Sequence, residues 1–352
     1  MYLLAMDIGL IIEKFLLVGL IVSLSLVIAM YTTYAERKVA AFLQDRRGPN
    51  RAGPFGILQP LADGGKLFFK EEIIPIASSG FLFILGPSLA MITALLTSAV
   101  IPWGGTLHIF GRYVPLQIAD INIGILYIFG VVSLGVYGIM IGGWSSNNKF
   151  SLLAAIRAAS QMISYELAMG LSLLAVLMMT GTLQMSGIVA HQMQGNNLWH
   201  VIVQPVGFII FFICALAECN RTPFDLAEAE NELNFGYHQE YSSMKLGFYL
   251  FAEYINMFIS SAVMATLFFG GYDILPFVDE SKWGLSANML TILGSVALMA
   301  KIFFFLFVFL WIRWTIPRFR YDQLMNLGWK KLIPLALVNM IITAAVILWL
   351  KK

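Results

Sequence analysis

The sequence has few charged residues and no strong net charge of either sign. Charged residues make up only 12% of the 352 positions, whereas soluble domains carry roughly 25%. The formal net charge is +2, and no basic patch with interleaved aromatic residues occurs, so we expect no nucleic-acid partner. These scarcities exclude a soluble enzyme, a disordered tail and a nucleic-acid-binding protein.

Candidate metal ligands are also scarce. The two cysteines, Cys214 and Cys219, lie in an apolar run. Because an iron–sulfur cluster or a structural zinc site needs more thiolates at closer spacing, we interpret them as small buried hydrophobic residues. The four histidines do not pair at ligand spacing within one predicted helix. We therefore expect no metal and no redox centre in this chain.

What the sequence has in abundance is apolar residues, at 59% of the chain with a mean hydropathy of +0.80. About 20 consecutive apolar residues cross a bilayer. Reading for such runs predicts an all-α polytopic membrane protein, with residues 1–352 as a single integral membrane domain. The eight predicted transmembrane helices are 10–33, 79–101, 121–143, 155–180, 200–218, 246–271, 287–312 and 330–350.

The distribution of Lys and Arg predicts the orientation of these spans. Most of the 22 basic residues lie in the connections after the first, third, fifth and seventh spans. By the positive-inside rule these connections are cytoplasmic, or matrix-facing in a mitochondrion, and both termini lie on the opposite side. The predicted cytoplasmic loops are 34–78, 144–154, 219–245 and 313–329.

The sequence of the first cytoplasmic loop predicts a further helix, one that does not span the membrane. Residues 56–70 mix apolar side chains such as Leu61 and Phe68 with Asp63, Lys66 and Lys70. This stretch is too short to cross a bilayer and is typical of an amphipathic helix in the interface plane. An ordinary structured loop is the alternative.

The third cytoplasmic loop is acidic. Thr222, followed by a proline and then an acid at the third position, predicts a helix start. Asp225, Glu228 and Glu232 would lie on one face of that helix, with Glu230 beside them. Such neighbours raise each other's pKa and titrate as a coupled set. The alternative is a solvated acidic face without a further role.

Four ionisable residues fall inside or at the ends of predicted spans, namely Glu166, Glu218, Glu253 and Lys301. A charge at mid-membrane costs roughly 2.5–3.5 kcal/mol on insertion scales, so such groups serve a pathway or pair with a partner. Three are carboxylic acids, which can hold and pass a proton when water links them. Internal salt bridges, for example of Lys301 with a glutamate, are the structural alternative.

Five stretches resemble one family in order along the chain. They are residues 36–71 (beginning ERKVAAFLQDRRGPN), 154–167 (AAIRAASQMISYEL), 217–233 (AECNRTPFDLAEAENEL), 240–254 (EYSSMKLGFYLFAEY) and 311–331 (WIRWTIPRFRYDQLMNLGWKK). They are similar to the signatures of the H-type membrane subunit of the proton-pumping NADH-quinone oxidoreductase (respiratory complex I), known in mitochondria as NADH dehydrogenase subunit 1.

The resemblance implies a role at the junction of the membrane arm and the hydrophilic arm of that complex. Quinone (ubiquinone or menaquinone) would be the substrate, with NADH, FMN and iron–sulfur clusters held by partner subunits. The implied partners are the hydrophilic-arm subunits of the quinone site, the small membrane subunits, the antiporter-like subunits and the lipid bilayer. Chain length favours a bacterial inner membrane over the mitochondrial one.

The resemblance also assigns residues. Those implied near quinone are Glu36, Arg37, Asp63, Lys66, Arg221, Phe224 and Asp225. Those implied in proton coupling are Glu166, Glu218, Glu253, Glu228, Glu230 and Glu232. Reduction of quinone would change the charge beside the acidic loop and shift a proton along the buried carboxylates.

One departure from the family pattern leaves the quinone type open. Asn234, Phe235, Tyr237 and His238 are less usual at these positions of the acidic loop. Three other functions remain as alternatives: a related subunit of a membrane-bound hydrogenase complex, a stand-alone ion transporter and a passive membrane anchor. The full acidic loop and the stretch from Gly48 to Asp63 favour the quinone enzyme.

Overall fold

The architecture is known from a computed structural model of the chain. It describes residues 8–109, 111–194, 198–226, 233–277 and 284–350. Glu228, Glu230 and Glu232, predicted to form the acidic cluster, lie outside the described residues.

The described chain is almost entirely α-helical. The helices are α1 (Ile8–Leu43), α2 (Gln59–Phe69), α3 (Gly80–Leu96), α4 (Gly124–Ser145), α5 (Lys149–Thr180), α6 (Met185–Met193), α7 (His200–Val203), α8 (Pro205–Glu218), α9 (Ser243–Phe268), α10 (Ala287–Thr315), α11 (Tyr321–Asn326) and α12 (Ile333–Leu350). A π-helical turn, Leu327–Leu332, joins α11 to α12. Short 3-10 turns lie at Pro54–Gly56, Thr97–Val100 and Gly236–His238.

The prediction of an all-α polytopic membrane protein is confirmed. Seven helices within the described ranges are long and apolar enough to cross a bilayer. The predicted span 200–218 is instead divided into α7 and α8, with Gln204 between them and Pro205 opening α8. Proline has no N–H to donate, so it is tolerated at the start of a helix and interrupts one elsewhere. The count of eight spans stays a prediction.

The first helix is longer than the predicted span 10–33. α1 has 36 residues and rises about 54 Å, more than the roughly 30 Å of the hydrocarbon core. Its final turns contain Glu36 and Arg37. The predicted cytoplasmic loop 34–78 therefore begins as a helix that continues from the first span.

The predicted interfacial helix corresponds to α2. Its apolar side chains Leu61, Phe68 and Phe69 are exposed on the surface of this chain, whereas Asp63 is only half-buried against α1. An 11-residue helix rises about 17 Å and cannot cross a bilayer. The helical alternative is thus favoured over an ordinary structured loop at residues 59–69.

The bundle is organised around α9. In its most apolar stretch 72% of the residues are buried inside the chain, against 50% or less in the other candidate spans. Helices α3 and α4 pack beside it, and they approach each other closely through glycine. A Cβ at Gly142 would lie 1.9 Å from the Tyr249 hydroxyl, and one at Gly138 would lie 2.9 Å from the Ala90 nitrogen. These glycines let Tyr249 donate a hydrogen bond to the Gly138 carbonyl at 3.0 Å.

Among the described residues, extended structure is confined to one hairpin between α3 and α4. Strands β1 (Thr106–Ile109) and β2 (Arg112–Pro115) pair antiparallel, with Thr106 opposite Pro115. The Asn288 side chain at the start of α10 donates to the His108 carbonyl at 2.9 Å and accepts from its N–H at 2.8 Å. These bonds tie the hairpin to the start of α10.

Candidate functional site

The centre of the candidate site is a buried ion pair between the acidic loop and α9. Arg221 Nη2 lies 3.2 Å from Glu253 Oε2, with the two side chains 5% and 7% exposed. The Tyr237 hydroxyl donates to Glu253 Oε1 at 3.0 Å. The Arg221 guanidinium also lies 4.2 Å from the centre of the Tyr254 ring. A buried carboxylate held by a cation and a hydroxyl donor is well compensated for its loss of water.

His238 completes this cluster without contributing a charge at neutral pH. Burial, and secondarily the positive charge of Arg221, lower the pKa of His238 to about 3. Its Nε2 lies 3.9 Å from Glu253 Oε1. Because a neutral imidazole faces the carboxylate, Arg221 rather than His238 is the cation that balances Glu253.

Tyr254 connects this cluster to α1 and α10. The Tyr254 hydroxyl donates to Glu36 Oε2 at 2.8 Å, and Glu36 Oε1 pairs with Arg313 Nη1 at 2.7 Å. Glu36 is buried although it lies near the end of a helix. Three helices and the loop therefore meet in one polar network that runs from Glu36 through Tyr254 to Arg221 and Glu253.

Glu218 lies beside this network, across a small cavity. The cavity has a volume of about 30 Å³ and is lined by polar groups including Glu218, Glu253 and Tyr237. That space holds one or two water molecules, since about 10–15 Å³ suffices for each. Both carboxyl oxygens of Glu218 are buried and have no hydrogen-bond partner among the described residues. Water in the cavity is thus a fitting partner for this carboxyl group.

Glu166 continues the series of acids on the far side of Glu218. The Ser133 hydroxyl donates to Glu166 Oε1. Glu166 also lines an open groove of about 490 Å³ whose other walls are apolar side chains of α4 and α5. Glu218 and Glu253 therefore line the same cavity, whereas Glu166 lines a separate groove.

The loop before the acidic cluster is a turn and not the predicted helix start. The helix predicted to begin at Thr222 does not begin there: residues 221–226 are non-helical, with a cis peptide before Pro223. The Pro223 carbonyl accepts from the Phe319 N–H at 3.2 Å, and the Phe224 carbonyl accepts from Gln161 Nε2 at 2.8 Å. The Leu226 N–H donates to the Phe224 carbonyl at 3.0 Å and therefore does not form the bond to Thr222 that would close the first helical turn.

The same turn buries two residues that the resemblance assigned to quinone. The Phe224 ring packs edge-on against Tyr165 with centroids 5.4 Å apart, and also contacts Phe319. Asp225 is only 1% exposed, and its Oδ2 lies 3.1 Å from Arg318 Nη2. The loop is therefore fixed against α5 and against the segment that follows α10.

The remaining residues assigned to quinone are Glu36, buried near the end of α1, and three residues that lie on the surface between α1 and α2. Arg37 Nη1 pairs with Asp63 Oδ2 at 2.7 Å, with the two side chains 49% and 33% exposed. Lys66 is exposed one turn further along α2. Glu36 is therefore the residue of this set that enters the buried network, while its neighbour Arg37 faces outward.

Lys301, the predicted intramembrane cation, is compensated by backbone. Its Nζ donates to the carbonyl oxygens of Phe269 at 2.7 Å and of Gly271 at 3.0 Å, and also to that of Asp273. These carbonyls follow the C-terminal end of α9, where the helix dipole favours a cation. Lys301 lies over the Trp199 ring, 4.3 Å from its centre.

Two residues of the network were not predicted from the sequence. Tyr254 follows Glu253 directly, and Arg313 lies at the end of a span where a basic residue is ordinarily explained by orientation. Neither spacing within α9 nor spacing within α10 indicates that both meet Glu36, because the contact is between helices distant in sequence. The signal available in the sequence for Tyr254 was its position directly after an intramembrane acid, Glu253.

Fold and site together define a class of protein. The chain is a polytopic α-helical membrane protein with a connected set of buried carboxylates, tyrosines and arginines, and the ranges described contain no group of three or more His, Cys, Asp or Glu side chains fit to hold a metal.

Comparison with known proteins identifies the family. The family model described as NADH dehydrogenase matches residues 15–344. The first H-type subunit of NADH-quinone oxidoreductase from Cytophaga hutchinsonii is 66% identical over 336 residues, which cover 96% of this chain and 97% of that protein. The H-type subunits of the same enzyme from Flavobacterium johnsoniae and Flavobacterium psychrophilum are 61% and 62% identical, over 97% and 98% of this chain and 97% and 100% of their own lengths. The chain belongs to the NADH dehydrogenase family.

Proposed function

We propose that the chain is the membrane subunit of a proton-translocating NADH-quinone oxidoreductase that forms part of the quinone chamber and couples quinone reduction to proton movement. The names of its relatives support the complex, and the buried network supports the role within it. The observation that carries the proposal is the continuous connection from Glu36 through Tyr254 to Arg221 and Glu253. A passive membrane anchor needs no such network.

The quinone is proposed to approach along the cytoplasmic half of α1. An apolar groove of about 460 Å³ lies between α1 and α10, and Tyr34 and Ala35 line it just before Glu36. Such a groove suits an isoprenoid tail, since ligand pockets are mostly apolar with a few convergent polar groups. Arg37, Asp63 and Lys66 beside it, with Arg221, Phe224 and Asp225 on the loop, are proposed to border the polar headgroup.

The coupling is proposed to be electrostatic. Electrons reach quinone from iron–sulfur clusters in partner subunits that also hold NADH and FMN, and the reduced quinone takes up protons. The charge change acts on the acidic loop, where Glu228, Glu230 and Glu232 are proposed to respond. A change in the electric field at Arg221 alters its pairing with Glu253 and therefore the free energy of protonating Glu253. A shift of one pKa unit corresponds to about 1.4 kcal/mol. Glu253 can then exchange a proton with Glu218 through water in the cavity, and Glu218 with Glu166.

The cellular context follows from the same reasoning. A multi-pass protein with bacterial relatives is proposed to lie in the bacterial inner membrane, with loops 34–78, 144–154, 219–245 and 313–329 on the cytoplasmic side. There the loops would contact the hydrophilic-arm subunits of the quinone site. Small membrane subunits and antiporter-like subunits are the proposed partners within the bilayer.

The proposal is tested by neutralising the buried acids one at a time. Glu218→Gln and Glu253→Gln should each lower NADH-driven quinone reduction and proton pumping in membrane vesicles by about tenfold or more, because each removes a proton-carrying group. The purified complex should keep its size. The control is Glu240→Gln, since Glu240 lies in the connection between α8 and α9 and accepts a hydrogen bond from Asn148 at 2.8 Å, away from the network.

Normal pumping in both acid variants would remove the coupling role. A purified complex that evolves hydrogen without reducing quinone would place the chain with the membrane-bound hydrogenase subunits. A small particle containing only this chain and transporting an ion would indicate a stand-alone transporter.

A further inference from the structure

A second cluster of titratable side chains lies at the C-terminal end of α9, about 20 Å along the helix axis from Glu253. His200, at the start of α7, is 1% exposed, and its Nδ1 lies 2.8 Å from the Leu267 carbonyl oxygen. Its Nε2 lies 3.3 Å from Nδ1 of His191, which is exposed on α6. The two rings are thus joined across two helices, which spacing within one helix does not reveal.

The contact with Leu267 determines the tautomer of His200. A carbonyl oxygen only accepts hydrogen bonds, so Nδ1 of His200 carries the proton and donates it. In the neutral ring Nε2 then presents a lone pair toward His191. This is the arrangement of a metal-binding histidine, whose second ring nitrogen almost always donates to a carboxylate, a backbone carbonyl or water.

The spacing of the two nitrogens also fits a shared cation. Zinc–nitrogen bonds of about 2.0–2.1 Å at tetrahedral angles place two ligand nitrogens about 3.3 Å apart. The observed separation is 3.3 Å. His191 is exposed whereas His200 is 1% exposed, so the pair faces solvent on the His191 side, from which water would supply the remaining ligands.

The position of His200 is fixed by a neighbouring side chain. Gln192 Oε1 accepts from the His200 N–H at 3.2 Å and from the Gly270 N–H at 2.9 Å. Its Nε2 donates to the Thr266 carbonyl at 3.0 Å. Gln192 is adjacent to His191 in α6, so its hydrogen bonds position both histidines against the end of α9. A site preorganised in this way loses little freedom when it binds an ion.

The nearby charges leave this site accessible to a cation. Lys301 points at the carbonyl oxygens of Phe269 and Gly271. The Asp273 carboxylate accepts from Trp199 Nε1 at 2.8 Å and contributes negative charge to the same region. The Lys301 ammonium group is thus bound by backbone carbonyls, and the Asp273 carboxylate offsets part of its positive charge.

We propose that His191 and His200 bind a divalent cation of the class that prefers imidazole, such as Zn²⁺ or Cu²⁺, with water as the remaining ligands. A bound ion links α6 to the start of α7, and through the Leu267 carbonyl to the end of α9. The site is independent of the proposed quinone function, because it shares no residue with the network at Glu253.

The test uses the full-length chain purified in mild detergent with a tag that contains no histidine. Cu²⁺ is the probe, added below one equivalent after treatment with a chelator. Electron paramagnetic resonance should show coupling to two equatorial nitrogens, and Zn²⁺ should displace the signal. His191→Gln should abolish the two-nitrogen pattern and weaken Cu²⁺ binding by about tenfold or more.

The matched control is His108→Gln, which removes an exposed histidine from the hairpin and should leave the signal unchanged. Because His191 is exposed, its variant should melt like the wild type in the presence of chelator, which separates loss of binding from loss of folding. Binding within twofold of the wild type in His191→Gln, or a wild-type signal without nitrogen coupling, would show that the pair is only a hydrogen bond.

Discussion

Helix α9 is accompanied by a buried charged group, Glu253, and a partly buried one, Lys301, that are compensated in opposite ways. Near its middle, Glu253 is balanced by the side chains of Arg221 and Tyr237 beside a cavity of about 30 Å³. Beyond its end, Lys301 is held by backbone carbonyls. Side chains can rotate and exchange protons with water, whereas backbone carbonyls can do neither. The first arrangement is thus able to change state, and the second is fixed.

The largest effect is expected from breaking the changeable cluster. Arg221→Met leaves Glu253 buried without its cation, which costs about 3–5 kcal/mol when one partner of a buried pair is removed. Denaturant unfolding of the purified chain in detergent measures the loss. Arg221→Lys keeps the charge and should lose clearly less. Equal stability of wild type and Arg221→Met would mean that the pair does not support the fold.

A smaller effect is expected at the fixed cluster. Lys301→Met leaves carbonyl groups at the end of α9 without their donor, and we expect a loss of about 2 kcal/mol in unfolding free energy. Protons pumped per electron should stay at the wild-type ratio, because this group is not part of the proposed relay. Lys301→Arg serves as the charge-retaining control. Lost pumping in a variant of normal stability would contradict the distinction drawn between the two clusters.

The pH dependence of stability tests the neutral state of His238. Its pKa is about 3 in the folded chain and about 6.5 when unfolded. Between these values the unfolded state binds the extra proton, so stability is complete above pH 6.5 and falls as the pH decreases. At pH 5 this contribution has fallen by about 2 kcal/mol.

His238→Gln should therefore reduce the loss of stability between pH 7.5 and pH 5 by about that amount. Denaturant unfolding at the two pH values measures it, with His108→Gln as the control that keeps the wild-type loss. An identical loss in His238→Gln would indicate that the imidazole is charged in the folded protein.

The smallest effect is expected at the half-exposed pair between α1 and α2. A double-mutant cycle of Arg37→Met and Asp63→Asn should give a coupling energy of about 1 kcal/mol or less, since solvent screens this pair. Unfolding of the four proteins in the same detergent provides the cycle. A coupling as large as the effect of Arg221→Met would erase the contrast between buried and exposed pairs.

The parts of the molecule that were predictable from sequence are those fixed by local pattern. Apolar runs predicted the long helices, and the mixed stretch around Asp63 predicted α2. The intramembrane acids stood out because charge is rare there, and they indicated a site before any contact was known.

The remainder depends on contacts between distant residues. The Thr222 helix start failed because the Leu226 N–H bonds to the Phe224 carbonyl, while distant donors, Phe319 and Gln161, hold the turn in place. α1 runs past residue 33 because charged residues end an apolar run without ending a helix. The sequence suggested a pairing of Lys301 with a glutamate and gave no sign of the carbonyls beyond α9. Every residue has a backbone carbonyl, so no side chain in the sequence indicates which carbonyls will bind a cation.

The short helix α8 has a consequence for how the chain enters the membrane. Its 14 residues rise about 21 Å, less than the roughly 30 Å of the hydrocarbon core. It also ends in Glu218, an acid that is buried inside the protein. During synthesis this segment emerges before α9, which carries other walls of the Glu218 cavity. Taken alone, α8 is therefore too short to cross the hydrocarbon core, and the acid at its end depends on α9 for part of its buried surroundings.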